Sequence, residues 1–85
     1  MGRFHVQVVI QNKPYVRDPE GETILRDLVS YGGYPTVREI RTARMLRMLV
    51  EAEDGDTAVQ LVTRMCDDLR IYNPVVSSCS VALRE

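Results

Sequence analysis

The stretch TVREIRTARMLRMLVEAE, residues 36–53, decides the fold, because its two readings lead to different architectures. Arg44-Met45-Leu46-Arg47-Met48-Leu49 is built of good helix formers, and propensity alone predicts a helix. Against that, Leu46, Met48, Val50 and Ala52 alternate with Met45, Arg47, Leu49 and Glu51, the period of two expected of a half-buried strand. Upstream, Val37 and Ile40 lie in a β-branched-rich segment, and no capping residue followed by a helical stripe opens the region. Propensity yields to tertiary context. We read the stretch as a hairpin of two strands, 36–42 and 45–52.

Before it, Phe4, Val6, Val8 and Ile10 alternate with His5, Gln7 and Val9, the pattern of a half-buried strand. Residues 11–17 form a loop in which Pro14 excludes a central strand. Asp18-Pro19-Glu20 is a helix start: Asp18 can accept from orphan amides, and Pro19 suits the first helical position. Ile24, Leu25, Leu28 and Val29 recur at helical spacing, and Gly32-Gly33 stops the helix.

After the hairpin, Asp54-Gly55-Asp56-Thr57 is a turn that delivers a second N-cap. Ala58, Leu61, Val62, Met65, Cys66 and Leu69 follow at steps of three and four, which predicts an amphipathic helix with Leu61 on its buried face. It ends before Asn73-Pro74, since the residue preceding a proline avoids helical angles. Val75 to Leu83 reads as a last strand. The order is β-α-β-β-α-β, an α+β, ferredoxin-like antiparallel sheet with two helices on one face. It forms one domain over residues 1–85.

A chain of 85 residues buries only about 60–65% of its unfolded surface, so partner subunits, metals or disulfides commonly help such a domain. Two cysteines, Cys66 and Cys79, and the single His5 offer no zinc-ligand spacing; reduced, buried thiols are expected. No signal peptide or long apolar span is visible, which points to a cytoplasmic protein without membrane contact. Net charge is −1 with both signs mixed, and Arg38, Arg41, Arg44 and Arg47 are interleaved with Glu39 and Glu51. Nucleic acid is therefore not expected as a partner.

With both helices on one face, the other sheet face carries Val9, Met45, Leu49, Val76 and Ala82, interrupted by His5, Gln7, Arg47, Ser78 and Ser80. That is more apolar surface than a monomer usually exposes, and a two-fold dimer would cover it. Chemistry is sparse. No Ser or Cys stands beside a base, no Gly-rich phosphate loop occurs, and Asp54, Asp56, Asp67 and Asp68 lack metal-ligand spacing. We expect no catalytic, cofactor-binding or metal residue in this chain.

Three segments together resemble the PurS family, the small subunit of phosphoribosylformylglycinamidine synthase. They are Lys13-Pro14-Tyr15-Val16-Arg17-Asp18-Pro19-Glu20-Gly21; Gly33-Tyr34 followed by Val37, Ile40, Arg41, Ala43 and Arg44; and Met65-Cys66, Leu69 and Asn73-Pro74-Val75. The resemblance marks Lys13, Asp18, Pro19, Gly21, Arg41, Met65, Cys66, Asn73 and Pro74 as motif positions. Ala43 stands where the family has a hairpin glycine. The resemblance also favours hairpin over helix in residues 36–52. It implies a non-catalytic subunit that dimerises, with pairing of dimers into a tetramer left open. Such a subunit bridges a large synthetase subunit using ATP and Mg²⁺ to a glutaminase subunit, and supports ammonia passage between them. The alternative is a ligand-binding regulatory domain of the ACT type, although the 11–17 loop has no glycine to hold a small ligand. A stand-alone hydrolase is a third, weaker option.

Overall fold

The computed structural model describes residues 1–84. Strand β1 (Gly2–Asn12) is followed by helix α1 (Pro19–Thr23), which continues as a π-helical segment, Ile24–Ser30. Then come β2 (Ala43–Ala52), α2 (Gly55–Asp68) and β3 (Ser77–Arg84). The sheet is antiparallel in the order β2-β1-β3, so both β2 and β3 are edge strands.

Residues 43–52 are a strand, as the alternation demands. Leu46, Met48 and Val50 pair with Val8, Val6 and Phe4, and this register puts one side chain in two on the covered face. On the other side of β1, Val81 pairs with Val8 and Cys79 with Ile10. Helix α2 packs across all three strands, and Ala58, Val62 and Cys66 close over Val6, Val8 and Ala52 to form the fully buried core. Steps of four select those helix positions. Leu61, expected to be buried, sits on the flank and is 48% exposed. Both helices begin as read: Asp18 Oδ1 accepts from Gly21 N at 3.0 Å, and Asp54 Oδ1 from Thr57 N at 2.7 Å. Gly33 takes the left-handed conformation, φ +95°, that lets the chain leave the first helix.

The α+β class, the antiparallel sheet and the two helices hold, but two particulars of the expected layout differ. Residues 36–42 form no strand. The cause lies at the segment's end, where Thr42 gives its backbone N–H and its hydroxyl to the Asp18 carboxylate, leaving that N–H unavailable to a ladder. Ala43 also cannot supply the backbone freedom of the missing hairpin glycine. The β-α-β-β-α-β order is thus realised with three strands.

The second difference concerns α1. It and its π-helical continuation pack on each other and on none of the strands, so the two helices do not share a sheet face. Residues 19–42 instead form an arm standing off the sheet. The molecule measures 51 × 28 × 14 Å, with a Cα radius of gyration of 16.4 Å. A compact chain of this length would have a radius of about 12 Å.

Candidate assembly surfaces

Three features could do work: the root of the arm, the arm itself, and the uncovered sheet face.

The root is a dense hydrogen-bonded joint. Asp18 is 5% exposed and is held by Gly21 N, Thr42 N and Thr42 Oγ1. The donated bond from Gly21, then those from Thr42, hold its carboxyl below the usual carboxylate range. Gly21 is required there, because a Cβ would run into the Ile40 carbonyl. Opposite, Arg41 Nη2 donates to the carbonyls of Val16 (2.9 Å), Lys13 (3.1 Å) and Asn12 (3.3 Å), closing off main-chain acceptors that the 12–16 loop leaves over.

A second set of bonds ties this joint to the entry of β3. Lys13 N donates to Val76 O at 2.9 Å, and Tyr15 Oη to Val75 O at 2.5 Å. Asn73 Oδ1 accepts from Val75 N at 3.0 Å, and its carbonyl from Val76 N and Ser77 N, which shapes the turn after Pro74. The joint therefore gathers Lys13, Asp18, Pro19, Gly21 and Arg41 with Asn73 and Pro74 at one end of the sheet. Met65 and Cys66 lie apart, on α2 in or against the core. Sequence reasoning missed Thr42 as the partner of Asp18, for no local pattern links residues 24 apart.

Beside the joint lies an open groove of about 550 Å³, bordered by Asn12, Glu20, Thr42, Arg44, Tyr72 and Asn73. Its wall is largely polar, and the Thr42 hydroxyl on it is already spent on the Asp18 carboxylate. Tyr72 donates to Asp67 at 3.1 Å, a bond that raises its pKa. Among the described residues no three metal-ligating side chains cluster, and no helix is long and apolar enough to cross a membrane. Cys66 and Cys79 are free thiols. Burial, then the neighbouring Cys66, pushes the Cys79 thiol up.

The arm carries Ile24, Leu25, Leu28, Val29, Tyr31, Tyr34 and Val37. Leu28 is 68% exposed and Tyr31 90%. On the uncovered sheet face, Val9 lies between Met45 and Ser80, Gln7 between Arg47 and Ala82, and His5 between Leu49 and Arg84. Four of the five residues expected on this face, Val9, Met45, Leu49 and Ala82, are on it. Val76 is not. It lies in the turn before β3, where its N–H and carbonyl are spent on Asn73 and Lys13.

Comparison with known proteins places this architecture. A sequence profile of PurS, described as phosphoribosylformylglycinamidine (FGAM) synthase, matches residues 5–85. The chain belongs to the PurS family. This is the family of a subunit of FGAM synthase, an enzyme of purine biosynthesis, so the chain serves an enzyme as one of its subunits. A Thermotoga maritima relative, "Phosphoribosylformylglycinamidine synthase subunit PurS", is 37% identical over 81 residues, 95% of this chain and 96% of the relative. A chain in the structure of PurLQS from the same organism superposes with a TM-score of 0.85 at 36% identity, covering 99% of this chain and all of that one, 100%. Methanocaldococcus jannaschii PurS, described as one of the subunits of formylglycinamide ribonucleotide amidotransferase in the purine biosynthetic pathway, gives 0.79 at 29% identity, with 96% of each chain covered. PurS membership sets aside the ACT-type and hydrolase readings.

Proposed function

We propose that this chain is the assembly subunit of FGAM synthase: it bridges the synthetase subunit to the glutaminase subunit and supports ammonia transfer between them. ATP and Mg²⁺ are used by the synthetase partner, and the complex works in the cytoplasm. The chain itself contributes shape and surface. The observation that carries the reading is the unfinished protomer, a slab 14 Å thick whose 24-residue arm and second sheet face lack cover. The PurLQS structure from T. maritima, which contains a chain of this shape, supports the same reading.

Self-association belongs to the reading. Val9, Met45, Leu49 and Ala82 form the centre of a two-fold dimer contact in which the uncovered sheet faces meet. Such a contact is self-complementary and needs no residue from another protein.

Reconstitution tests the bridging role. The synthetase and glutaminase subunits are purified separately and mixed with or without this chain, and glutamine-dependent product formation is followed beside ammonia-dependent formation. Glutamine-dependent activity is expected only in the three-component mixture, with co-elution on a sizing column. Full glutamine-dependent activity in its absence would overturn the reading.

A further inference from the structure

We propose that Cys66 and Cys79 form a redox modification site, at which a small-molecule disulfide oxidises the pair to an intramolecular bond tying the end of α2 to β3. The site stands apart from the bridging role and from the uncovered sheet face.

The two thiols come from different elements and meet under the helix. Cys66, on α2, is 1% exposed and belongs to the core with Val6 and Val8. Cys79, on β3, pairs with Ile10, and two residues on, Val81 pairs with the fully buried Val8. Side chains two apart share a sheet face, so Cys79 points toward α2 and packs against the same core. Its thiol has Cys66 as a neighbour there. Side chains that approach each other from two packed elements have the facing arrangement a disulfide requires. Among the described residues no third metal-ligating group joins them, so the pair is set for reaction with each other and not for a metal.

Both sulfurs can be reached. Cys79 is half-buried on an edge strand, and Cys66 lines an open crevice of about 250 Å³ with Asp67, Arg70, Tyr72 and Pro74. Cys79, as the thiolate, attacks one sulfur of the oxidant; the oxidant's S–S bond breaks, one thiolate leaves and a mixed disulfide remains on Cys79. Cys66 then loses its proton to solvent, attacks Cys79 Sγ and expels the second thiolate. Two protein thiols give up two electrons and two protons, and the oxidant becomes two thiols. Burial, then the neighbouring Cys66, holds the Cys79 thiol protonated, so the first step is slow at neutral pH.

The bond closes a loop over residues 66–79, and that loop has reason to respond. It holds Arg70 at φ +54°, in the left-handed region that a β-carbon disfavours. It also presents the Val75 and Val76 carbonyls that accept the Tyr15 hydroxyl and the Lys13 N–H. Oxidation therefore braces the segment on which the joint of the arm leans.

Incubation of the full-length chain with millimolar glutathione disulfide at about pH 8 tests the proposal. The product is expected to be a single chain about 2 Da lighter than the reduced form. Trypsin, cutting after Arg64, Arg70 and Arg84, should release Met65–Arg70 linked to Ile71–Arg84, and reduction should part them. Closing this loop should raise the melting temperature by at least about 5 °C. Amide exchange across residues 67–78 should slow at least tenfold. In Cys66→Ala the reaction stops at the mixed disulfide on Cys79, and in Cys79→Ala Cys66 stays a thiol. Should either variant fail to fold, the peptide map of the unaltered chain still decides. Adducts on both cysteines without a link, a link between two chains, or two thiols unchanged after a day would overturn the site.

Discussion

Asp18 receives both the backbone N–H and the hydroxyl of Thr42, so a single buried carboxylate holds the two ends of the arm together. Local and long-range order meet in this side chain. One of those oxygens, Oδ1, also caps the first helix by accepting from Gly21 N, so the helix start and the arm's return share one side chain.

Loosening that root should free the arm while sparing the sheet. Asp18→Asn keeps the size but gives up the charge that strengthens three donated bonds. Gly21→Ala forces a methyl group into the Ile40 carbonyl. Both variants should show amide exchange at least tenfold faster across residues 19–42, with exchange in β1 little changed. Equal acceleration in β1 would mean that the joint supports the whole fold.

Acid should act on the same joint. The carboxyls of Asp18, Asp54 and Glu22 are all held below their ordinary values, by bonds from Gly21 and Thr42, from Thr57, and from Arg17 respectively. A depressed folded-state pKa gives stability that is present above the unfolded value, near pH 4, and is lost as pH falls through the folded value. Melting temperature should be flat from pH 7 to about 5 and fall below about 4. Asp18→Asn should lessen that fall.

Packing makes a sharp contrast between neighbours on α2. Val62 is 1% exposed, and Val62→Ala deletes two methyl groups from the centre of the core, costing about 2–3 kcal/mol. Leu61→Ala should cost under about 1 kcal/mol in the dilute chain, because its side chain stands half in water. Urea unfolding curves at low concentration check both.

The uncovered sheet face offers an independent test. Leu49→Asp or Val9→Asp places an unpaired charge at the proposed dimer contact and should raise the dissociation constant by on the order of a hundredfold, with each protomer still folded. Native mass spectrometry at low micromolar concentration reads the change. Unaltered mass would remove this face from the assembly.

What the sequence made legible was local. Strict alternation in β1 and β2, the Asp caps of both helices and the four-residue steps of α2 each follow from the chemistry of neighbouring residues. Leu61 was misjudged because a stripe with steps of three and four is wider than the contact one helix makes with a thin sheet. The strand expected at 36–42 failed for a different reason: its Thr42 N–H is taken by a carboxylate far upstream. No pattern within a window of residues could show that bond, nor that it would swing the first helix off the sheet. The motif positions from Lys13 to Arg41 and at Asn73-Pro74 were legible through the family resemblance, and the structure gives their physical role as the joint of the arm.

Both outer strands of the sheet leave a row of backbone donors and acceptors without a neighbour, and β2 runs ten residues with neither proline nor bulge to blunt it. Only Arg44, Arg47 and Glu51 keep that border charged. An isolated chain therefore presents margins on which another extended strand could pair.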